Sequence, residues 1–332
     1  MEPKLFARYR SAIVDGLRRV LAGEGPLRNV LRVHVGLEDE TGASTCALGK
    51  LVRPSLTLLI AEEMDGDLET ALTAAVALEL VHEFSLIHEN AQDADAMRRG
   101  RPTIWSRCGE SQAINAGDLM LTLALREAAT AGEEVLGRLL EAVIEMVEGQ
   151  VLDVSFGFRW PSLDESTAMI DRKTGALFRC ACDLGTIVAE AAREARNQWN
   201  VIGRELGRAV QIRDDLLGIF GGEARLGKPI GTDIRRRKKS YPLLLAMADA
   251  SATQRRAMEE ALEQPTVSDE AMREVVAMMA SLDVWEAGAA QVNRHLENVL
   301  SELQRSPCGE VGLAEMTEWC ESLRIESEGG PR

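Results

Sequence analysis

Apolar residues recur at helical spacing along almost the whole chain, and that periodicity leaves few folds open. Ala, Leu, Glu and Arg are abundant, aromatic residues make up only 4%, and alternating β-branched runs are scarce, so an all-α fold is expected. In residues 3–22, Leu5, Ile13, Leu17, Val20 and Leu21 mark a helix face that stops near Gly23. GEGPLRNVLR restarts a helix and EDETGASTCALGK reads as a loop. Leu51 to Met64 is apolar enough for a buried helix, and Asp67 is an N-cap for the next one. Helix propensity persists through 68–97, 111–128, 132–156 and 165–193, then from Trp199 to Phe220. Segment 221–239 lacks apolar periodicity and holds Gly227, Pro229 and Gly231, so it reads as a loop. Tyr241–Ala250, Asp269–Met279, Val284–Leu303 and Val311–Leu323 complete the expected helices. One helical domain over 1–325, with a disordered tail at 326–332, is the expected organisation.

With 332 residues and 45% hydrophobic content the chain can bury a sizeable core. A formal net charge of -15 argues against a general nucleic-acid binder, because phosphate backbones attract basic faces. The six cysteines form no CxxC pair and are expected to be reduced thiols, buried or inert. No apolar leader follows a basic start, and no stretch approaches the ~18 residues of a membrane span, so a cytoplasmic location is expected.

Two distant stretches carry chemistry. From Glu79 to Leu119 the sequence reads as a helix, a loop with Arg98, Arg99 and Arg101, and a second helix. Glu89 and Asp93 are four residues apart and share a helix face, with Asn90 about 100° round from Glu89. Two stacked carboxylates repel unless a cation lies between them, and Mg²⁺ commonly takes one or two carboxylates together with substrate phosphates. Those spacings alone also describe a solvated acidic face. Downstream, Gln211 to Pro242 repeats the logic with Asp214, Asp215, Lys228 and Lys238. Lys50 and Arg53 lie three apart at a helix start, where backbone N–H groups favour anions. Lys173-Thr174-Gly175 on a predicted helix adds another phosphate-seeking group. His82 by itself reads as a satisfied core histidine or as a ligand.

In order, GKLVRP, ELVHEFSLIHENAQDADAMRRGRPT, AINAGDLML, EGQVLDV, RKTGALF and the stretch from Gln211 to Pro242 resemble the trans-isoprenyl diphosphate synthases, the polyprenyl synthetase family. The resemblance implies the all-α isoprenoid synthase fold, a helical bundle round a central cavity, usually as a homodimer. It implies that Mg²⁺ holds an allylic diphosphate between two Asp-rich helices, and that the allylic cation is attacked by the double bond of isopentenyl diphosphate. By position, Gly49, Lys50, Arg53, His82 and Arg99 match the isopentenyl diphosphate site. Arg98, Lys173, Lys228 and Lys238 match residues that grip the allylic diphosphate. Thr174 and Gln211 match residues beside the reacting carbons, and Glu89, Asn90, Asp93, Asp214 and Asp215 fall on the metal-binding motifs. Phe84, five residues before Glu89, matches a position under the allylic tail, where an aromatic ring implies short products of about C15 to C20.

The chain also departs from the family pattern. Where DDxxD is usual it has Glu89-Asn90-Ala91-Gln92-Asp93, the second motif ends on Gly218 instead of a carboxylate, and Leu51 replaces the middle arginine of GKRxRP. Three readings stay open: an active prenyltransferase using isopentenyl diphosphate or another acceptor, a terpene cyclase on the same fold, and a non-catalytic partner subunit of an active homologue. Intact Lys50, Arg53, His82 and Arg99 favour the first, because a cyclase has no need of an acceptor diphosphate site.

Overall fold

The structure, a computed structural model, describes residues 3–221 and 231–326. In chain order its helices are α1 (Lys4–Leu21), α2 (Pro26–Val35), α3 (Val52–Glu63), α4 (Leu68–Gln92), α5 (Ile104–Cys108), α6 (Glu110–Ala131), α7 (Glu133–Ser155) and α8 (Leu163–Lys173). They continue as α9 (Gly175–Val188), α10 (Arg193–Phe220), α11 (Thr232–Arg235), α12 (Tyr241–Asp249), α13 (Ala252–Glu263), α14 (Asp269–Ser281), α15 (Val284–Leu303) and α16 (Glu310–Leu323). The only strands among the described residues are β1 (Met97–Arg98) and β2 (Arg101–Pro102), paired antiparallel. The all-α expectation holds.

The chain forms two compact units: Met1–Val143 with Arg179–Asn200 and Ser306–Trp319, and Ile144–Phe178 with Val201–Arg305 and Cys320–Arg332. In the first, α4 packs against α6, α3 and α1. Its alanine-rich half, with Ala71, Ala74, Ala75 and Ala77 fully buried, lets neighbouring helices approach closely. At the α1 crossing Gly16 has no alternative, since a Cβ there would fall 2.6 Å from a methyl of Val76. In the second unit α12 packs on α15 and α8, and α14 on α13 and α15. Gly288 of α15 admits the Leu216 side chain of α10, 2.6 Å from where its Cβ would lie.

Several expectations need correction. The helix expected over 68–97 stops at Gln92, where Ala94 turns left-handed (φ 53°) and the Asp95 N–H donates back to the Asn90 carbonyl at 2.9 Å. That is a Schellman-type ending, which more often takes glycine. The basic loop is a hairpin with Arg98 opposite Arg101, and its tip residues Arg99 and Gly100 both have positive φ, as a two-residue I′ turn demands. The single helix expected over 165–193 is broken at Thr174, and the loop expected over 221–239 contains α11. Helix α13 was not expected at all, although Ser251 and Gln254 form a capping box at its start.

Contrary to the sequence expectation, α4 is long and apolar enough to cross a membrane; 72% of its apolar window is buried inside the fold, as in a core helix. Cys180, Cys182 and Cys320 are buried, but Cys46 and Cys108 are exposed thiols. The expected tail lies, apart from Glu326, outside the described residues.

Candidate functional site

In the first unit, four of the five expected acceptor residues meet in two pairs, Arg53 with His82 and Arg99 with Gly49. Lys50 stands exposed just before α3, which begins after a left-handed Leu51 (φ 55°). A left-handed non-glycine residue costs about 1–3 kcal/mol and persists only where its surroundings hold it. Here Leu51 is buried, and Arg10 of α1 donates to the carbonyl of Gly49 at 3.0 Å. Arg53 in the first turn of α3 places Nη1 3.3 Å from His82 Nε2. A guanidinium can only donate, so Nε2 of His82 accepts and the ring proton resides on Nδ1. Burial, with Arg53 next, holds the His82 pKa well below the usual imidazole value, so the ring is neutral.

Arg99 reaches back from the hairpin tip. Its Nη1 donates to Glu83 Oε1 at 2.9 Å, and its guanidinium covers Gly49, where a Cβ would lie 2.9 Å from Nη2. The glycine of GKxxRP is therefore needed for this close approach. Burial would raise the Glu83 carboxyl pKa, but Arg99 and His34 outweigh it and keep it well below the carboxylate range. One turn earlier Glu79 is also buried; burial, reinforced by Glu83, pushes it up to about 7.

At the other end of α4, Arg98 clasps the altered first motif. Its Nε donates to Asn90 Oδ1 at 2.6 Å and its Nη2 to Glu89 Oε2 at 2.9 Å. Asn90 is only 1% exposed, so the changed middle residue points inward, while Asp93 caps the helix at the surface. Phe84 is buried edge-on to His88, their centroids 4.8 Å apart. The His88 ring occupies the space that a side chain at Gly117 of α6 would need.

In the second unit, the break between α8 and α9 presents Lys173 and Thr174. Two glycines make room for it: a Cβ at Gly149 would lie 2.3 Å from the Lys173 nitrogen, and one at Gly207 would lie 2.6 Å from Gly175 Cα. Lys173 Nζ pairs with Asp153 at 2.5 Å. Thr174 Oγ1 donates to Gln211 Oε1 at 2.5 Å, and Gln211 Nε2 donates to Asp215 Oδ1 at 2.9 Å. Asp215 is buried and also accepts from Lys238 Nζ and from the Tyr241 N–H, both at 3.3 Å. It is therefore a hub of the network, whereas the Asp214 side chain is 63% exposed. Gly218, where the second motif lacks its last carboxylate, faces Asp233, whose Oδ2 lies 2.7 Å from where a Cβ would be. Lys228 lies outside the described residues.

The exposed Asp93 and Asp214 are hard oxygen donors of the kind Mg²⁺ takes, so the donor chemistry fits a divalent cation. Glu89, on the same helix as Asp93, is open to metal only if it exchanges Arg98 for it. No three His, Cys, Asp or Glu side chains converge into a metal cluster among the described residues. Sequence reasoning missed Glu83, His34, Asp153 and Asp233. Glu83, Asp153 and Asp233 lay inside the quoted motifs, whereas His34 carried no local signal.

The profile of the polyprenyl synthetase family matches residues 37–279, and the chain belongs to that family. It is similar to the (2E,6E)-farnesyl diphosphate synthase of Mycobacterium tuberculosis, 34% identical over 290 residues, which is 84% of this chain and 80% of that one. A geranylgeranyl diphosphate synthase of the same organism is 35% identical over 275 residues, 80% and 79% of the two chains. Among solved structures, a polyprenyl synthetase from Streptomyces coelicolor superposes with a TM-score of 0.88 at 31% identity, covering 97% of this chain and 99% of that one. The fold is that of the isoprenoid synthases, and the chain is a prenyltransferase of the short-chain isoprenyl diphosphate synthase type.

Proposed function

We propose that the chain couples an allylic diphosphate to isopentenyl diphosphate and makes a product of about C15 to C20, and that residues 1–325 act as one isoprenoid synthase domain. The observation that carries this reading is the two pairs Arg53 with His82 and Arg99 with Gly49, cationic groups whose charge, in a protein of net charge -15, suits a bound anion. A cyclase or a non-catalytic partner would have no use for them, and the diphosphate synthases among the relatives favour transfer.

In this reading Lys50, Arg53 and Arg99 bind the acceptor diphosphate, with neutral His82 ordering Arg53. Arg98, Lys173, Lys228 and Lys238 bind the allylic diphosphate. Asp93 with an exchanging Glu89 in the first unit, and Asp214 in the second, are the carboxylates for Mg²⁺, which would neutralise charge on the leaving diphosphate. The allylic C–O bond breaks with its electron pair leaving on diphosphate, the acceptor double bond attacks the cation, and a proton is lost. Thr174 commits its proton to Gln211, because Gln211 commits its own amide to Asp215. The Thr174 oxygen is thereby kept as an acceptor, suited to a passing positive charge.

A second copy of the chain completes the reading. Ile144, Val147, Val151, Val154 and Phe158 follow a 3-4 spacing along α7 and the residues after it, and all are 44% exposed or more. Such a stripe is the seam along which helices pair. A cytoplasmic location accords with α4 being a core helix. The deciding assay incubates purified protein and Mg²⁺ with C10, C15 or C20 allylic diphosphates, with and without isopentenyl diphosphate. Longer diphosphates formed only with acceptor are expected. Hydrocarbons formed without acceptor would mean cyclisation, and silence would mean a partner role.

A further inference from the structure

Arg99 offers its guanidinium to an anion from a turn tip, yet a long side chain on a two-residue hairpin has many conformations to lose on binding. Three features restrict it: a left-handed backbone at φ 51°, the bare Cα of Gly49 beneath it, and the Glu83 carboxylate at 2.9 Å. Glu83 is itself enclosed, held by burial and by the ion-pair distance to His34. It is 1% exposed on α4, and its second oxygen lies 3.0 Å from Nε2 of His34 on α2, also buried. The same hairpin returns to α2 through Arg101, which donates to the carbonyls of Val33 and His34 at 3.3 and 3.4 Å. Gly36, with φ +95°, ends α2 where a Cβ would strike the Arg101 guanidinium. His34, Glu83, Arg98, Arg99 and Arg101 surround a cavity of about 20 Å³, room for a single water.

We propose that Glu83, backed by His34, is a positioning residue for the acceptor diphosphate: it sets the guanidinium of Arg99 and so determines affinity for isopentenyl diphosphate without touching it. This rests on reading Gly49, Arg53, His82 and Arg99 as the acceptor site. Glu83 takes one edge of the guanidinium and leaves the rest for an anion. A buried carboxylate so close would weaken anion binding if its charge dominated, and strengthen it if fixing the geometry dominates. The two effects have opposite signs.

The test uses full-length protein. Binding of isopentenyl diphosphate alone is measured by calorimetry, and KM is measured separately for isopentenyl and geranyl diphosphate, in Glu83→Gln, Arg99→Gln, the double variant and His34→Gln. Glu83→Gln is expected to weaken isopentenyl diphosphate about tenfold, in both binding and KM, with the geranyl diphosphate KM within twofold. The double variant should be no weaker than Arg99→Gln, since both changes remove one contact. His34→Gln, which loosens Glu83 from behind, should weaken the acceptor about threefold and decides the matter if Glu83→Gln does not fold. Tighter binding in Glu83→Gln, additive losses in the double variant, or an equal rise in both KM values overturns the positioning role while the acceptor site stands. If Arg99→Gln itself leaves isopentenyl diphosphate binding unchanged, the acceptor site is misread and the positioning role falls with it.

Discussion

Two regions of α4 hold charge in opposite ways. Near His82 the groups offered outward are cations, and the buried counter-charge is the carboxylate of Glu83, with the raised pKa of Glu79 keeping the deeper carboxyl largely protonated. Two turns later the group offered outward is the carboxylate of Asp93, and the clasp behind it is Arg98 on Glu89 and Asn90. The difference explains why the first acidic motif tolerates its altered middle residue. Asn90 faces inward against Arg98, where its carbonyl can accept just as a carboxylate would, so the substitution removes a charge from the clasp and not from the surface. The second motif makes a similar exchange: Gly218 yields its space to Asp233, so adding a carboxylate at 218 would crowd one already there.

The comparison breaks most visibly at Asp93. Asp93→Ala should lower kcat by about 100-fold, the scale of losing one electrostatic stabiliser of a departing group. Isopentenyl diphosphate binding, read by calorimetry, should not change. Retained turnover would mean that the acidic end of α4 has no part in ionisation. Phe84 lies between the two regions, and Phe84→Ala should lengthen the products by one or two C5 units, read by chromatography of the dephosphorylated alcohols. An unchanged product length would separate Phe84 from the allylic tail. Asn90→Asp should reduce the Mg²⁺ needed for half-maximal turnover about threefold, by adding negative charge beside Glu89. Identical Mg²⁺ titrations for the two proteins would remove the clasp from the metal's surroundings.

Much of this was legible before folding. The apolar face of α1, the Asp67 cap and the positions of Lys50, Arg53 and Arg99 follow from spacing or motif order, because helical periodicity and N-cap chemistry act over a few residues. His34 was not legible as the partner of Glu83, since 49 residues separate them in the sequence and only the packing of α2 beside the hairpin joins them. The break at Thr174 escaped because the helical residues either side of Thr174-Gly175 outweigh that one weak pair; what breaks the helix there is the close passage of Gly149 and Gly207. The hairpin is too short to show a strand period, although glycine at the second tip position was an available sign. At α13 a capping-box signature was present and should have been used.

A last test isolates Glu79, the deeper of the two carboxyls on the cationic side. Burial first, then Glu83, raises its pKa from the ordinary 4.5 to about 7 in the folded chain. A carboxyl that holds its proton more tightly folded than unfolded adds stability below pH 4.5 and loses it as pH rises through 7. Glu83 is displaced the other way: its stabilisation is present above 4.5 and is lost only as pH falls, so it contributes no slope between 4.5 and 7. Glu79→Gln removes the titration while keeping the volume. Relative to the parent protein it should therefore gain about 2 kcal/mol between pH 5 and pH 8 in urea denaturation. A difference that stays constant with pH would mean that Glu79 is already charged when folded. The cationic region would then carry two buried anions where the structure calls for one.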